Sequence, residues 1–181
     1  PLAYVNRVRG VEGVATVSHQ SWFGAYVREP KNQIVCFAIE PESFLSIYGG
    51  ELLLQPAQRE AFLRNRQGVL VGERLALAQG WKRGDRIPVQ SNIFTRTDGS
   101  NTWEMVVEGI FRGARESNDT RRMLFHYDYL NEARTYGRDL TGMILFTTTD
   151  PALNEGIARG IDAMFANSVA ETQTDTAKAF L

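Results

Sequence analysis

The chain has 181 residues, 43% hydrophobic and 23% charged, an ordinary balance for a globular protein able to bury a sizeable core. Its 20 basic and 21 acidic residues give a formal net charge of -1, which offers neither the basic footprint of a nucleic-acid binder nor a polybasic membrane signal. The single cysteine, Cys36, excludes an intrachain disulfide and, inside an apolar run, reads as a small hydrophobe rather than a nucleophile.

Leu2, Val5 and Val8 recur every third residue, the mark of a short amphipathic helix ending near Gly10. Gly13 to Glu29 is a long extended stretch, and Pro30-Lys31-Asn32 turns the chain so that Gln33 to Glu40 returns as its hairpin partner. That return strand is apolar on both faces, which predicts a central position between layers. Pro41 to Tyr48 is a short helix stopped by Gly49-Gly50, and Pro56 to Arg66 is a charged one with Ala57, Ala61 and Phe62 on one side.

Gly68 to Gln90 reads as strand (Val69–Val71), helix (Glu73–Gln79), left-handed glycine cap at Gly80, turn at Gly84-Asp85 and strand (Arg86–Gln90). Leu75 and Ala78 are expected on one face of the helix. Asp98-Gly99 marks a tight turn. From Thr102 to Phe111 alternation puts Trp103, Met105 and Val107 on one face of a half-exposed strand. Arg112 to Arg122 has no apolar pattern and reads as a mobile surface loop.

Met123 to His126 is a strand, Tyr127 to Tyr136 a helix stopped by Gly137, and Met143 to Thr149 a further strand. Asp150-Pro151 starts a helix whose apolar face is Leu153, Ile157, Ile161, Met164 and Phe165. A last strand is expected over Val169 to Thr174, with a further helix beginning at Asp175. The pattern is α+β. Longer elements at the two chain ends and shorter ones between them predict two lobes. One takes residues 1–45 together with 138–181, and the other is an inserted strand-rich lobe over 46–137.

Chemistry is sparse. His19 and His126 show no metal-ligand spacing, and no metal or other cofactor is expected. There is no Gly-x-Ser-x-Gly elbow, and the glycines of Gly80 to Gly84 lack the Gly-Lys-Ser/Thr ending of a phosphate loop. Glu104 and Glu108, four strand positions apart, stand about 13 Å from each other, too far for concerted acid–base work. No catalytic residue is therefore assigned. Trp22, Phe23 and Tyr26 cluster in the first long strand and read first as core or inter-lobe packing, with an interaction surface for a partner or an apolar ligand as the alternative.

Five short segments carry a resemblance in their order and spacing: Val8 to Ser18, Phe37 to Phe44, Val71 to Asp85, Met105 to Phe111 and Glu171 to Thr174. Over its whole length the chain resembles the extracytoplasmic (periplasmic) core domain of MacB-type, FtsX-like ABC transporter permeases. The resemblance implies a porter-like lobe from both chain ends and an inserted sabre-like lobe. It also implies a place between the first two membrane helices of a bacterial inner-membrane permease, those helices lying outside this sequence, which opens on Pro1 rather than methionine. The implied partners are a cytoplasmic ATPase subunit or domain, a second permease copy, and a periplasmic adaptor or substrate, with no nucleic acid. The implied role is non-catalytic, coupling ATP-driven motion to export or to a partner protein. The alternatives are a ligand-binding or adaptor domain with Trp22, Phe23 and Tyr26 lining a cleft, and an α+β hydrolase gathering His126, Asp128 and a nucleophile in one pocket.

Overall fold

The structure, a computed structural model, describes residues 1–177. In chain order the elements are α1 (Ala3–Arg9), β1 (Val14–Trp22), β2 (Ala25–Tyr26), β3 (Gln33–Ile39), α2 (Pro41–Tyr48), β4 (Leu52–Leu53), α3 (Pro56–Arg64) and β5 (Gly68–Gly72). They continue with α4 (Glu73–Gln79), β6 (Arg86–Ser91), β7 (Thr102–Gly113), β8 (Arg122–His126), α5 (Tyr127–Ala133), β9 (Met143–Thr148), a 3-10 turn (Pro151–Leu153) and α6 (Asn154–Phe165).

The sheet runs β2-β6-β7-β5-β8-β3-β1-β9, and β2 also pairs with β3. Six strands thus close on themselves into a small barrel, while β1 and β9 branch off β3 as a two-stranded ribbon. The branch arises because β1 and β2 are one stretch of chain bent at Gly24 (φ +67°), a left-handed conformation that favours glycine, and a Cβ there would stand 2.3 Å from Asn92 Oδ1. Before the bend Gln20, Ser21 and Trp22 pair with Ile39, Ala38 and Phe37; after it Ala25 and Tyr26 pair with Ile34 and Gln33.

Strand alternation sorts the side chains into separate cores. Cys36, Ala38, Val69, Val71, Val89, Trp103, Met105, Val107, Met123 and Phe125 share one core with Leu75, Ala76, Tyr129 and Leu130 of the adjoining helices. On the opposite face Leu70 and Leu124 meet Ile39, Phe44, Leu45, Leu52, Phe62 and Phe111, so α2, α3 and β4 cover that side. β3, β5 and β8 are apolar on both faces because both faces are covered. The third core belongs to the chain ends, where α1 and α6 lie on the ribbon through Tyr4, Val5, Val8, Val17, Ile157, Ile161 and Phe165. The ladders β2–β6 and β3–β8 join the segment 1–45 to the segment 46–137 within the barrel.

Several local expectations are corrected. Val169 to Thr174 is not a strand: Val169 is 95% exposed, and the segment is held by side-chain bonds to Asp162 instead of by a ladder. The helix expected through Tyr136 ends at Ala133, where Arg134 takes extended backbone and turns its side chain inward. In α4 the buried partner of Leu75 is Ala76, and Ala78 is exposed. Ala57 faces solvent, so the buried side of α3 rests on Phe62. The residue 112–122 loop is anchored: β7 extends to Gly113, Thr120 is buried, and its carbonyl accepts from the Leu75 amide at 3.2 Å. The helix expected from Asp175 falls mostly outside the described residues.

Candidate functional site

The aromatic cluster is divided by its own strand. Trp22 and Phe23 are adjacent, so they point to opposite faces. Phe23 is fully buried, its ring edge-on to Trp103 at 5.1 Å and to Phe125 at 4.9 Å, and it is therefore core and no part of a surface. Trp22 is 47% exposed and meets the Phe37 ring edge-on at 5.3 Å. Tyr26, past the Gly24 bend, is half-buried and accepts from Asn101 Nδ2 at 2.9 Å. The three residues do not share one face.

What Trp22 does join is a patch that the sequence order concealed. Cross-strand partners share a face of the sheet, and Gln20 lies opposite Met143, Ser18 opposite Leu145, and Trp22 opposite Phe37. Trp22, Phe37, Met143 and Leu145 therefore stand together on one face of the ribbon, beside the edge of the α2 layer. Phe37 and Leu145 are half-buried and Met143 is exposed.

Further round the same face lies an open cleft of about 730 Å³ between α2, β4 and α3. Leu45, Leu52, Leu54 and Ile110 provide apolar wall, and Gln58, Arg59, Glu73 and Arg112 provide polar lining. None of Trp22, Phe23 and Tyr26 lines it.

The two histidines are structural in their contacts. His126 Nε2 lies 2.8 Å from the Phe62 carbonyl and donates to it, joining β8 to the end of α3. Burial lowers its pKa, and the Phe62 carbonyl acts in the opposite sense. Asp128 is exposed, and neither it nor His126 lines the cleft, so the His126–Asp128–nucleophile pocket is not assembled.

His19 sits in a denser network. Its Nδ1 is 2.8 Å from Thr141 Oγ1 and its Nε2 3.8 Å from Glu40 Oε2. Ser43 donates to Glu40 Oε1 at 2.6 Å, and Arg9 approaches the same carboxylate at 4.0 Å. The Tyr127 ring caps the imidazole edge-on at 4.6 Å. Burial lowers the His19 pKa, Arg9 acts in the same sense, and Glu40 and Asp128 pull it the other way. The network joins α1, β1, α2 and the loop before β9 at one point. Burial also pushes the Cys36 thiol well above its ordinary value, leaving it inert.

Arg134 is a buried residue that no motif announced. Its guanidinium donates to Asn131 Oδ1 (2.9 Å), the Leu140 carbonyl (2.8 Å) and Tyr127 Oη (3.1 Å), and lies over the Phe94 ring at 5.2 Å. It ties the segment leading to β9 back to α5. Among the described residues no group of His, Cys, Asp and Glu could hold a metal ion, and no helix is long and apolar enough to cross a membrane.

No protein-family model matches the sequence, and no curated protein does. Solved structures do match. The extracellular domain of the noncanonic ABC-type transporter YknZ from Gram-positive bacteria superposes with a TM-score of 0.63 at 14% identity, over 94% of this chain and 87% of that one. The periplasmic region of MacB from Actinobacillus actinomycetemcomitans gives 0.60 at 14% identity, over 99% and 81%. A domain from Porphyromonas gingivalis described as belonging to a permease gives 0.56 at 17% identity, over 97% and 86%. At these identities the likeness is one of fold: the chain has the α+β fold of extracytoplasmic domains of ABC-type transporter permeases.

Proposed function

We propose that the chain is a non-catalytic, periplasmic domain of a bacterial ABC transporter permease. In this reading it works beside a second copy and a cytoplasmic ATPase, and conveys ATP-driven motion to a substrate or an adaptor protein. The fold likeness supports the general kind. The observation that carries the reading further is the juxtaposition of the first and last described helices, α1 and α6. Tyr4 at the start of α1 stacks on Phe165 at the close of α6, and its hydroxyl donates to Ser168 at 2.9 Å. A domain inserted between two successive membrane helices needs its entry and exit side by side. The division into a porter-like lobe (1–45 with 138–181) and a sabre-like lobe (46–137) belongs to the same proposal. The third core, drawn from the chain ends alone, supports a separate end-derived part, whereas β2 and β3 of the segment 1–45 pair within the barrel of the other segment.

The test is a distance. Leu77 is 84% exposed on α4, and Cys36 is buried, so a Leu77→Cys substitution, with any cysteines outside this domain replaced, gives one labelling site per copy. In membranes carrying the intact permease with its ATPase, the spin-label separation between copies is expected to change on adding ATP. A separation indifferent to ATP would sink the proposal.

The open cleft favours a second reading, ligand binding, on an apolar wall with Arg59 and Arg112 close by. Saturable binding of a lipophilic ligand, lost on Ile110→Arg, would support it. Unchanged binding in that variant would remove it.

A further inference from the structure

We infer that a notch in one edge of β7 is the docking site for an extended, acidic segment of a partner protein, added to the sheet as a strand. β5 lies along the opposite edge of β7 from Val106 to Phe111. The notched edge is shared between two short partners: β6 covers Thr102 to Val106, and β4 covers Arg112 and Gly113. Between them Val107 bonds to Gly84 and Asp85, and from Glu108 to Phe111 no described strand lies on that side. The Ala114 amide donates to the Glu51 carbonyl, so even-numbered residues at this end of β7 turn toward the β4 side. Ile110 is one of them, and its N–H donates to the Gln58 side-chain oxygen at 2.9 Å instead of to a strand. The Glu108 carbonyl, beside the Gly84 turn, accepts from Arg83 Nε at 2.9 Å. Two surface side chains thus cap an edge that a passing backbone would satisfy in their place.

The notch opens into the cleft of about 730 Å³, where Ile110 and Arg112 meet Leu52, Leu54, Gln58 and Arg59. A strand added there presents alternate side chains to two faces. Both faces are walled: a Cβ at Gly109 would meet Leu54 and Gln58, whereas Ile110, its neighbour, packs against the barrel core. Charge selects the occupant. Arg83 and Arg112 are in no ion pair among the described residues, and Arg59 meets only its chain neighbour Glu60, at 3.6 Å. Against these guanidinium groups the cleft lining sets one carboxylate, Glu73, while Glu108 lays its side chain against Gly68 of β5. Carboxylates on the incoming segment complement the arginines, and apolar residues between them suit the leucine wall.

The notch rests on the proposed function for its partner, an adaptor protein, but is decided separately. The probe is acetyl-Glu-Val-Glu-Val-Glu-Val-amide, titrated to millimolar concentration beside acetyl-Lys-Val-Lys-Val-Lys-Val-amide. The acidic peptide is expected to bind saturably, more weakly as salt rises, and to slow hydrogen exchange at the Ile110 amide. The basic peptide is expected not to bind. Gln58→Ala removes the competitor for the Ile110 amide and is expected to tighten binding about threefold to tenfold, whereas loss of a merely structural cap would not tighten it. Arg112→Glu, at an exposed position that does not endanger the fold, is expected to weaken binding about tenfold. No binding of the acidic peptide, equal binding of the basic one, or binding that leaves Ile110 exchange unchanged would each overturn the inference. Dodecanoate bound in the cleft with no binding of the peptide would overturn it in favour of the lipophilic-ligand reading. Each of these results leaves the ATP-dependent distance change to decide the transmission reading by itself.

Discussion

Tyr4 and Phe165 stack nearly parallel, with ring centroids 3.8 Å apart and planes 12° from each other. Arg7 adds its guanidinium 4.8 Å from the centre of the same Phe165 ring. A stack contributes about 0.5–1.5 kcal/mol beyond the area it buries. Phe165 is fully buried, so Phe165→Ala is expected to cost about 3–5 kcal/mol. A double-mutant cycle with Tyr4→Ala, read by urea unfolding, is expected to return a coupling on the order of 1 kcal/mol. Strict additivity would show that the two rings do not hold the chain ends together.

Gly72 and Gly50 make a contrasting pair. A Cβ at Gly72 would stand 2.0 Å from the Thr120 carbonyl oxygen, whereas one at Gly50 meets nothing within 4 Å. Gly72→Ala is expected to destabilise by about 1–3 kcal/mol or more, because it must push the residue 114–121 loop off β5. Gly50→Ala is expected to stay within about 0.5 kcal/mol of the parent. Equal melting temperatures for the two variants would mean that the loop is not anchored at Thr120.

Burial lowers the pKa of both histidines, His19 against Glu40 and Asp128, His126 against the Phe62 carbonyl. A depressed folded pKa means that the unfolded chain takes up protons first as pH falls. The stabilising effect of a neutral ring is therefore complete above about pH 6.5 and is lost as pH drops toward the folded values. Unfolding free energy is expected to fall between pH 7.5 and pH 5. In His126→Gln that slope is expected to be shallower. An unchanged slope would remove His126 from the account.

Asp162 contributes to the acid limb. Burial opposes its ionisation, but the Thr174 hydroxyl and amide and the Thr172 hydroxyl all donate to it, and together they hold its pKa below the ordinary value. Its contribution is present above the unfolded carboxylate pKa, about 3.9, and is lost as pH falls through the lower folded value. Asp162→Asn is expected to release the segment 168–174 from α6, seen as faster exchange of the Thr174 amide. It is also expected to flatten the stability loss below pH 4. A protected Thr174 amide in the variant would contradict this.

Much of the architecture follows from local pattern. Period-two alternation in Thr102 to Val107 places Trp103, Met105 and Val107 inside, and the doubly apolar Gln33–Ile39 run occupies the middle of the sheet. The turn chemistry of Gly80 and Gly84 is also local, with φ of 72° and 95°. The hairpin of β2 with β3 follows from the turn at Pro30-Lys31-Asn32, but the barrel closure was not legible, because it depends on the same two-residue strand pairing also with Ser91 and Gln90, and nothing at Ala25 or Tyr26 names that partner. The functional cluster failed for a related reason. Trp22 and Phe23 look alike as adjacent aromatics, but alternation assigns one to solvent and the other to the core. The real neighbours of Trp22 on its face, Phe37 and Met143, are set by ladder register, which a single sequence does not display. Arg134 was hidden because its partners, Tyr127, Asn131 and Leu140, become a cage only after the chain folds back on α5.

The ribbon's direct ladder to the barrel is three residue pairs, Gln20–Ile39, Ser21–Ala38 and Trp22–Phe37. A tug directed along β1 loads those rungs in shear, all of them sharing the strain at once. A tug across the strand peels them one after another, starting from Gln20. Which end of the molecule is pulled, and at what slant, therefore sets whether the two parts travel as a single lever or come apart like a zip.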